Sequence, residues 1–176
     1  MRDLNIIDTN IIFREGQQFV ARSTDELFAN KKVVMFGLPG AFTPTCSVFQ
    51  LPGYEENFFK FKTYGIEEVY CVSVNDAFVM NAWAKEQKIK DVKLIPDGNG
   101  DITDGLGMLV AKENLGFGYR SWRYSCIVEN KKVIKLFEED GKDDNILTDP
   151  YAVSDPYTIL SYLAHTTGIP LPGTTY

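Results

Sequence analysis

The segment KVVMFGLPGAFTPTCS, residues 32–47, decides the predicted fold. Its first half, residues 32–38, is an apolar run typical of a buried strand, and a Pro-Gly turn ends it. Thr43 and Pro44 then mark the start of a helix, because threonine caps helix N-termini and proline suits the first turn. Cys46 is therefore predicted at the beginning of a helix, directly after a strand and a turn.

Strands and helices alternate on both sides of this segment. Before it, short extended patches at 6–12 and 19–21 predict an N-terminal hairpin or edge strands. After it, we predict strands at 68–74 and 92–95, with a helix between them that is capped at Asn75-Asp76. A short helix follows within 97–107, and then a hairpin of 123–128 and 133–137 around Asn130-Lys131-Lys132. The last predicted element is a helix at 156–165 capped by Ser154 or Asp155. This order predicts an α/β protein, a single domain over residues 1–176 with a mixed central sheet flanked by helices, which resembles a thioredoxin-like core.

Two of the predicted helices carry expectations about their interiors. An apolar repeat predicts a helix over 55–64, and Pro52-Gly53 is expected to kink it or split it from the turn that holds Cys46. In the helix after Asn75-Asp76, the side chains of Phe78, Ala82 and Trp83 are expected to face inward.

Composition and charge exclude several classes of protein. A chain of 176 residues with 44% apolar and 24% charged residues is typical of one globular domain, and disorder or a collagen-like repeat is excluded. The net charge of −6 and the lack of a basic run argue against a nucleic-acid partner. No apolar stretch reaches the roughly 18 residues of a membrane helix, and the N-terminal part lacks an apolar signal core. We therefore expect a cytoplasmic protein with no membrane partner.

The cysteine and histidine content narrows the possible chemistry. Three cysteines, an odd number, favour a reducing compartment over a disulfide framework. The one histidine, His165, rules out a Cys2His2 zinc site within one chain and suits a helix-end charge. Residues 97–108 resemble a calcium loop, but Ile102 and Met108 replace its required glycine and glutamate. We therefore expect chemistry through cysteine, arginine, hydroxyls or carboxylates, and no metal site.

Cys46 is the strongest candidate for a reactive group. Free backbone N–H groups and the helix dipole at a helix start favour an anion, and cysteines at such positions ionise more easily than free cysteine. Thiolate is the nucleophilic form, so this position predicts a reactive cysteine. The alternative is a buried cysteine with a purely structural role.

Three separated blocks of sequence carry a family resemblance. The segment from Pro39 to Cys46 looks like the peroxiredoxin pattern P-x-x-x-T-x-x-C. Together with VSVNDAFVMNAW at 72–83 and RSWRYS at 120–125, the string GLPGAFTPTCS resembles the Prx5 (type II, atypical) peroxiredoxins, close to the peroxiredoxin part of bacterial peroxiredoxin–glutaredoxin hybrids. The resemblance implies a thioredoxin-fold thiol peroxidase that reduces hydrogen peroxide and organic hydroperoxides, with no metal or organic cofactor.

The resemblance also implies roles for individual residues. Cys46 is then the peroxidatic cysteine, whose thiolate attacks the peroxide and becomes a sulfenic acid. Thr43 positions the peroxide through its hydroxyl, and Pro39 shields the thiolate from water. Arg123 matches the active-site arginine of the family, and its rigid fork of five donors can stabilise first the thiolate and then the departing oxygen.

Strand alternation gives an independent reason to place Arg123 beside Cys46. Successive side chains of a strand point to opposite faces, so Arg123 can point toward Cys46 while Cys126 points away. The two faces carry Arg123, Ser125 and Ile127 on one side and Trp122, Tyr124 and Cys126 on the other. Arg120, near the start of the strand, is expected to be a surface arginine or to support the site from behind.

One residue departs from the family pattern. Many members have a histidine four residues after the peroxidatic cysteine, where this chain has Gln50. A titratable side chain is thus absent from the pocket wall, although glutamine still forms hydrogen bonds. We expect an altered peroxide preference with activity retained.

The other cysteines decide how the sulfenic acid is recycled. Cys71 lies in an apolar strand, at a spacing from Cys46 that resembles the second cysteine of some plant-type members, so an intramolecular Cys46–Cys71 disulfide is one alternative. A disulfide needs Cα atoms within roughly 7 Å, which a strand residue reaches only if the Cys46 turn unwinds. Cys126 is the poorer candidate. The favoured mechanism is therefore a one-cysteine cycle, with glutathione, glutaredoxin or thioredoxin as the external reductant.

The resemblance further implies a homodimer packed through loops near the active site. Exposed aromatic side chains at Phe42, Tyr119 and Trp122 would fit such an interface.

Two other functions use the same cysteine. A thiol–disulfide exchanger normally needs Cys-x-x-Cys or Cys-x-x-Ser, and the residues after Cys46 are Ser47, Val48 and Phe49, so that motif is absent. A peroxide sensor or redox-regulated chaperone would be oxidised once, whereas a peroxidase turns over with a thiol reductant.

Overall fold

The fold is described for residues 3–173 in a computed structural model. The nine strands within this range are β1 (Asn10–Glu15), β2 (Gln18–Ser23), β3 (Lys32–Gly37), β4 (Glu68–Ser73), β5 (Lys93–Pro96), β6 (Leu109–Ala111), β7 (Tyr119–Ser121), β8 (Tyr124–Glu129) and β9 (Lys132–Glu138). The helices are α1 (Thr24–Phe28), a π-helical segment (Cys46–Gln50), α2 (Leu51–Glu56), α3 (Phe58–Lys62), α4 (Ala77–Glu86), α5 (Asp101–Gly105), a 3-10 turn (Glu113–Leu115) and α6 (Pro156–Thr167).

A mixed five-stranded sheet forms the centre of the fold, in the order β5-β4-β3-β8-β9. β3, β4 and β5 run parallel, while β8 is antiparallel to both β3 and β9. The predicted N-terminal hairpin is confirmed as β1 and β2, and a second two-stranded sheet of β6 and β7 was not predicted. The predicted mixed sheet is confirmed, and it places β3, which leads to Cys46, next to β8, which follows Arg123.

Two hydrophobic layers cover the two faces of this sheet. Alternation along β3 sends Val34 and Phe36 into one layer and Val33 and Met35 into the other. Cys46 lies in the first layer. Each fully buried large apolar side chain of the two layers contributes about 1.5–3 kcal/mol to the stability of the fold through its removal from water. Both faces of the sheet are therefore closed to solvent, and we call the layer that holds Cys46 the cysteine layer.

A glycine allows β3 and β8 to pack closely where they approach the site. Gly37 pairs with Tyr124 across the two strands. A Cβ atom at Gly37 would lie 2.2 Å from Cε1 of the Tyr124 ring, so only glycine fits against this ring without movement.

Several local expectations hold and two are wrong. The predicted hairpin of β8 and β9 is confirmed, but its turn is the two residues Asn130 and Lys131, with φ values of 46° and 68°, while Lys132 already belongs to β9. Asp155 caps α6 by accepting hydrogen bonds from the backbone N–H groups of Tyr157 and Thr158. Asp76 caps α4 in the same way.

The two wrong expectations concern α2 and α4. Pro52 and Gly53 do not break the helix, because Pro52 lies near the start of α2 and follows a π-helical turn without interruption. The break comes at Asn57. In α4 the buried face carries Ala77, Met80 and Trp83, while Phe78 and Ala82 are exposed, so only Trp83 faces inward as predicted.

Candidate active site

The turn after β3 is held by hydrogen bonds from its own residues and from a neighbouring loop. The Thr43 hydroxyl donates to the Gly40 carbonyl at 2.8 Å, and the backbone N–H of Ala41 donates to Oδ1 of Asn75 at 3.0 Å. Phe42 has a φ of 65°, in the left-handed region that is costly for a bulky residue, and its ring is 51% exposed. Pro39 is buried at the start of the turn. These contacts hold the backbone that leads directly into Cys46.

Cys46 begins a π-helical segment of five residues, Cys46–Gln50. The N–H of Leu51 donates to the Cys46 carbonyl, which is the wider hydrogen-bond spacing of a π turn. The segment buries both of its ends, so the side chains of Cys46 and Gln50 point into the protein while Val48 and Phe49 lie on the surface. Single π turns within helices are frequent at functional sites.

A contact from α4 anchors the first turn of this segment. The indole N–H of Trp83 in α4 donates to Oγ of Ser47 at 3.0 Å. Trp83 is buried in the cysteine layer, so the residue next to Cys46 is held by a rigid aromatic side chain.

Arg123 lies against Cys46, on the face of the sheet that strand alternation predicts. Its side chain is 1% exposed, and its Nη1 lies 3.4 Å from Sγ of Cys46. The same Nη1 donates to Oε1 of Gln50, and Nη2 donates to Oδ1 of Asp149 at 2.6 Å. Burial alone would lower the pKa of Arg123, but the negative charges of Cys46 and Asp149 raise the pKa above its usual value. The guanidinium is therefore a permanent positive charge beside the sulfur.

Two buried hydrogen-bond donors at this site have no partner among residues 3–173. They are Nε of Arg123 and Nε2 of Gln50. Buried donors are normally paired, so these two can serve an oxygen atom of a small molecule beside Cys46. Gln50 thus takes part in the site through hydrogen bonds, although it does not titrate.

Arg120 supports the turn without touching the sulfur. Its Nη1 donates to the Pro39 carbonyl at 3.1 Å, and its Nε donates to the Phe117 carbonyl at 3.2 Å. A Cβ atom at Gly40 would lie 2.4 Å from Nη1 of Arg120, so the glycine makes room for this contact. Burial lowers the pKa of Arg120. This placement agrees with the expectation that Arg120 supports the site from behind.

Cys71 and Cys126 lie on opposite faces of the sheet, and all three cysteines are free thiols. Cys71 in β4 shares the cysteine layer with Cys46, whereas Cys126 in β8 lies in the other layer. Burial raises the pKa of both thiols, and the charge of Cys46 raises the pKa of Cys71 further. Both thiols are as fully buried as Cys46, but within residues 3–173 neither has a cation in hydrogen-bond contact as Cys46 has in Arg123.

Two acidic residues near the site have partners that the sequence pattern does not reveal. The acidic run Glu138-Glu139-Asp140 predicts a solvated loop from its sequence. Instead, the carboxylate of Glu139 is buried and accepts hydrogen bonds from the N–H groups of Ala152, Val153 and Ser154. Burial raises the pKa of Glu139, but the hydrogen bonds outweigh burial and lower the pKa overall. The other is Asp149, which contacts Arg123 from an irregular connection where no periodic pattern indicates its role.

One expected surface aromatic is buried. Trp122 is 2% exposed and donates its indole N–H to the Glu139 carbonyl at 2.7 Å, so it does not form part of an exposed patch. Strand alternation does place it opposite Arg123, but the second hydrophobic layer covers that face as well. Phe42 and Tyr119 are exposed, as expected.

Neither a metal cluster nor a membrane span is present in the described part of the chain. Within residues 3–173, no group of three or more His, Cys, Asp or Glu side chains is placed to hold a metal ion. The carboxylate of Asp97, in the calcium-like segment, instead accepts hydrogen bonds from Ile102 and Thr103. The described helices are all too short or too polar to cross a membrane.

Comparison with known proteins places this chain in a family. A family model described as Redoxin matches residues 13–153. Over 142 residues, which are 81% of this chain and 79% of the relative, the chain is 58% identical to a peroxiredoxin of Rhizobium etli. The chain belongs to the peroxiredoxin family.

Two further comparisons refine this assignment. This peroxiredoxin is 54% identical over 151 residues to the hybrid peroxiredoxin hyPrx5 of Haemophilus influenzae, and the match covers 86% of this chain and 61% of that relative. It superposes on the crystal structure of the Plasmodium falciparum antioxidant protein, a 1-Cys peroxiredoxin, with a TM-score of 0.88 and 39% identity, over 94% of this chain and 99% of that one. The predicted Prx5-type family and thioredoxin-like fold are confirmed, and this peroxiredoxin is a thiol peroxidase.

Proposed function

We propose that this peroxiredoxin reduces hydrogen peroxide and alkyl hydroperoxides through Cys46, and that an external thiol recycles it, with glutathione and glutaredoxin favoured. The observation that carries the proposal is the distance of 3.4 Å between Sγ of Cys46 and Nη1 of a buried arginine. A positive charge held against a sulfur in a low-dielectric site stabilises the thiolate, which is the nucleophile.

The peroxidase step uses this charge twice. The Cys46 thiolate attacks one peroxide oxygen, so an S–O bond forms while the O–O bond breaks. The other oxygen leaves as hydroxide or alkoxide and takes up a proton to become water or an alcohol, and the sulfur is oxidised to a sulfenic acid. Arg123 stabilises the thiolate before attack, and its free Nε–H can donate to the oxygen that gains negative charge.

Thr43 and Pro39 shape the space in front of the sulfur. In the proposed role, the Thr43 hydroxyl accepts the proton of the incoming peroxide while it donates to the Gly40 carbonyl. Pro39, held by Arg120 through its carbonyl, shields the thiolate from water. Their placement in one turn with Cys46 supports these roles.

An external thiol is favoured for recycling because the other cysteines are poorly suited to it. A resolving thiol must form a thiolate and reach the sulfenic acid, whereas burial raises the pKa of Cys71 and keeps it within the sheet. A first external thiol forms a mixed disulfide with Cys46 and releases water, and a second thiol then frees Cys46 and leaves as a disulfide. The likeness to a 1-Cys peroxiredoxin and to a hybrid peroxiredoxin supports this cycle.

The alternative with an observation in its favour is a Cys46–Cys71 disulfide. Both cysteines lie in the cysteine layer, and the charge of Cys46 acts on the pKa of Cys71. Formation of the bond would require the π-helical segment to unwind.

The test measures the product and the turnover of the reduced protein. We expect a stoichiometric dose of hydrogen peroxide to add one oxygen to the mass of the parent much faster than it oxidises a free thiol. The mass of Cys46→Ser should not change over the same time. Glutathione with glutaredoxin should then support repeated turnover better than thioredoxin. Equal oxidation of Cys46→Ser would refute the role of Cys46, and a single turnover with every reductant would leave a peroxide sensor.

The proposed assembly is a homodimer in the cytoplasm. The exposed rings of Phe42 and Tyr119 flank the turn that carries Cys46, which is where the family resemblance places the interface. Three free cysteines suit a reducing compartment. Light scattering during gel filtration should give twice the chain mass, and a monomer at all concentrations would contradict the dimer.

A further inference from the structure

Asp149 is the acidic partner of the buried arginine. Its Oδ1 lies 2.6 Å from Nη2 of Arg123, and the two side chains differ sharply in exposure, at 45% for Asp149 and 1% for Arg123. A charge-assisted hydrogen bond of this length is strong and directional. The carboxylate therefore reaches inward from the surface to hold one end of a buried guanidinium.

The planarity of the guanidinium transmits this restraint to the sulfur. Nη1 and Nη2 belong to one rigid plane, so a partner on Nη2 limits where Nη1 can point. Nη1 faces Cys46 and Gln50, on the side of the group away from Asp149. The ring of Tyr151, two residues after Asp149, lies 5.8 Å from Cζ of Arg123 and restricts the same group.

The loop that carries Asp149 is itself tied to the protein. Glu139 accepts hydrogen bonds from three successive N–H groups at 152–154, and the Tyr54 hydroxyl donates to the Ser154 carbonyl at 2.7 Å. Asp155 then caps α6. Asp149 is thus presented to Arg123 by an anchored segment, although half of its side chain faces water.

We propose that Asp149 is a positioning residue of the peroxidase reaction, which holds the Arg123 guanidinium so that Nη1 stays against Cys46. This inference rests on the proposed function of Cys46. The Asp149 carboxylate has two opposing effects on Cys46. Its hydrogen bond directs Arg123 toward the sulfur, whereas its negative charge partly cancels the positive potential of Arg123 at the sulfur.

Three variants separate these effects. Asp149→Ala removes both the hydrogen-bond acceptor and the charge, whereas Asp149→Asn keeps a carbonyl acceptor and removes only the charge. Asp140→Ala is the matched control, because Asp140 is an exposed aspartate in the same connection between β9 and α6. Asp149 is partly exposed, so the variants are expected to fold, which circular dichroism checks.

The two readouts are the titration of the Cys46 thiolate by ultraviolet absorbance and the rate constant of its oxidation by hydrogen peroxide. Asp149→Ala should raise the pH at which half of Cys46 is thiolate and lower the rate constant about tenfold, the effect of losing one charge-assisted hydrogen bond. Asp149→Asn should not raise the titration midpoint and should retain most of the rate. Asp140→Ala should match the parent in both.

The outcomes distinguish a failure of this proposal from a failure of the proposed function. A titration midpoint of Asp149→Ala equal to or below that of the parent would overturn the positioning role, because a group acting only by charge would lower the midpoint in both Asp149 variants. An equal effect of Asp140→Ala would also overturn it. If the parent itself fails to react with peroxide, the proposed function is lost, while the titration still tests the contact between Asp149 and Arg123.

Discussion

Cys46 and Arg123 are 77 residues apart in the chain, yet Sγ of the first lies 3.4 Å from Nη1 of the second. The antiparallel pairing of β3 with β8 brings them together, because Cys46 follows the end of β3 and Arg123 precedes the start of β8. The contact is therefore a property of the sheet, and it does not depend on a flexible loop closing over the site.

Removal of the arginine should slow oxidation strongly. Arg123→Met deletes the charge and the donor to Cys46, and loss of such a donor costs about 100-fold in rate. Arg123→Lys keeps the charge but loses the planar fork, so we expect an intermediate rate. Rapid-mixing kinetics with hydrogen peroxide measures both. The control is Arg22→Met, at a partly exposed arginine in β2 that is far along the chain from Cys46, and an equal loss there would show a general effect on the protein.

The two buried cysteines should be dispensable for formation of the sulfenic acid. Neither Cys71→Ser nor Cys126→Ser is expected to change the gain of one oxygen by Cys46, since burial raises the pKa of both thiols. Intact mass after a stoichiometric dose of peroxide gives the answer. A loss of two hydrogens in the parent that disappears only in Cys71→Ser would instead show the intramolecular disulfide.

The buried carboxylate of Glu139 should make stability depend on pH on the acid side. Its pKa is lower in the folded protein than in the unfolded chain, so its contribution is complete above the unfolded value, about 4.3, and is lost as pH falls through the folded value. Glu139→Gln should therefore cost about 1.5–3 kcal/mol at neutral pH and less as the pH falls below 4.

Urea unfolding of the parent and of Glu139→Gln at several pH values tests this dependence. Glu129→Gln, at an exposed glutamate at the end of β8, is the control and should run parallel to the parent. A difference between the parent and Glu139→Gln that grows on acidification would have the wrong sign for a lowered pKa.

Two glycines should respond to alanine in opposite directions. A methyl group at Gly37 would lie 2.2 Å from the Tyr124 ring, and overpacking of this kind costs about 1–3 kcal/mol. A methyl group at Gly53, inside α2, would lie 3.4 Å from Cγ of Pro156, which is an ordinary van der Waals contact. Alanine is more stable than glycine in a helix interior by roughly 0.5–1 kcal/mol. Denaturant midpoints of Gly37→Ala and Gly53→Ala should therefore fall on either side of the parent value.

The elements that build the site could be predicted from sequence because each follows a local rule. The apolar run of β3, the Pro-Gly turn and the threonine at the helix start lie within one continuous segment, and strand alternation places Arg123 on the side of the sheet that holds Cys46. Asp149 could not be found in this way. It lies in an irregular connection, and only the folded chain shows which buried cation its carboxylate meets.

The wrong expectations arise because local patterns do not report the surroundings that the rest of the fold supplies. Pro52 suggests a helix break by itself, but a π turn before it supplies a continuous path into α2. Trp122 was expected to be exposed because it lies near the predicted site, where an interface would use aromatic side chains, yet a second hydrophobic layer buries it. Glu139 was assigned to solvent by its acidic neighbours, although three backbone N–H groups surround it.

The two tryptophans of this chain lie one on each face of the sheet, so its intrinsic fluorescence comes from two separate environments. Trp83 donates to Ser47 beside the reactive sulfur, so its emission changes whenever that turn unwinds. Trp122 donates to the Glu139 carbonyl in the opposite layer and does not contact Ser47. Comparison of the parent with Trp122→Phe should therefore isolate the emission of Trp83, which reports on the Cys46 turn without a label.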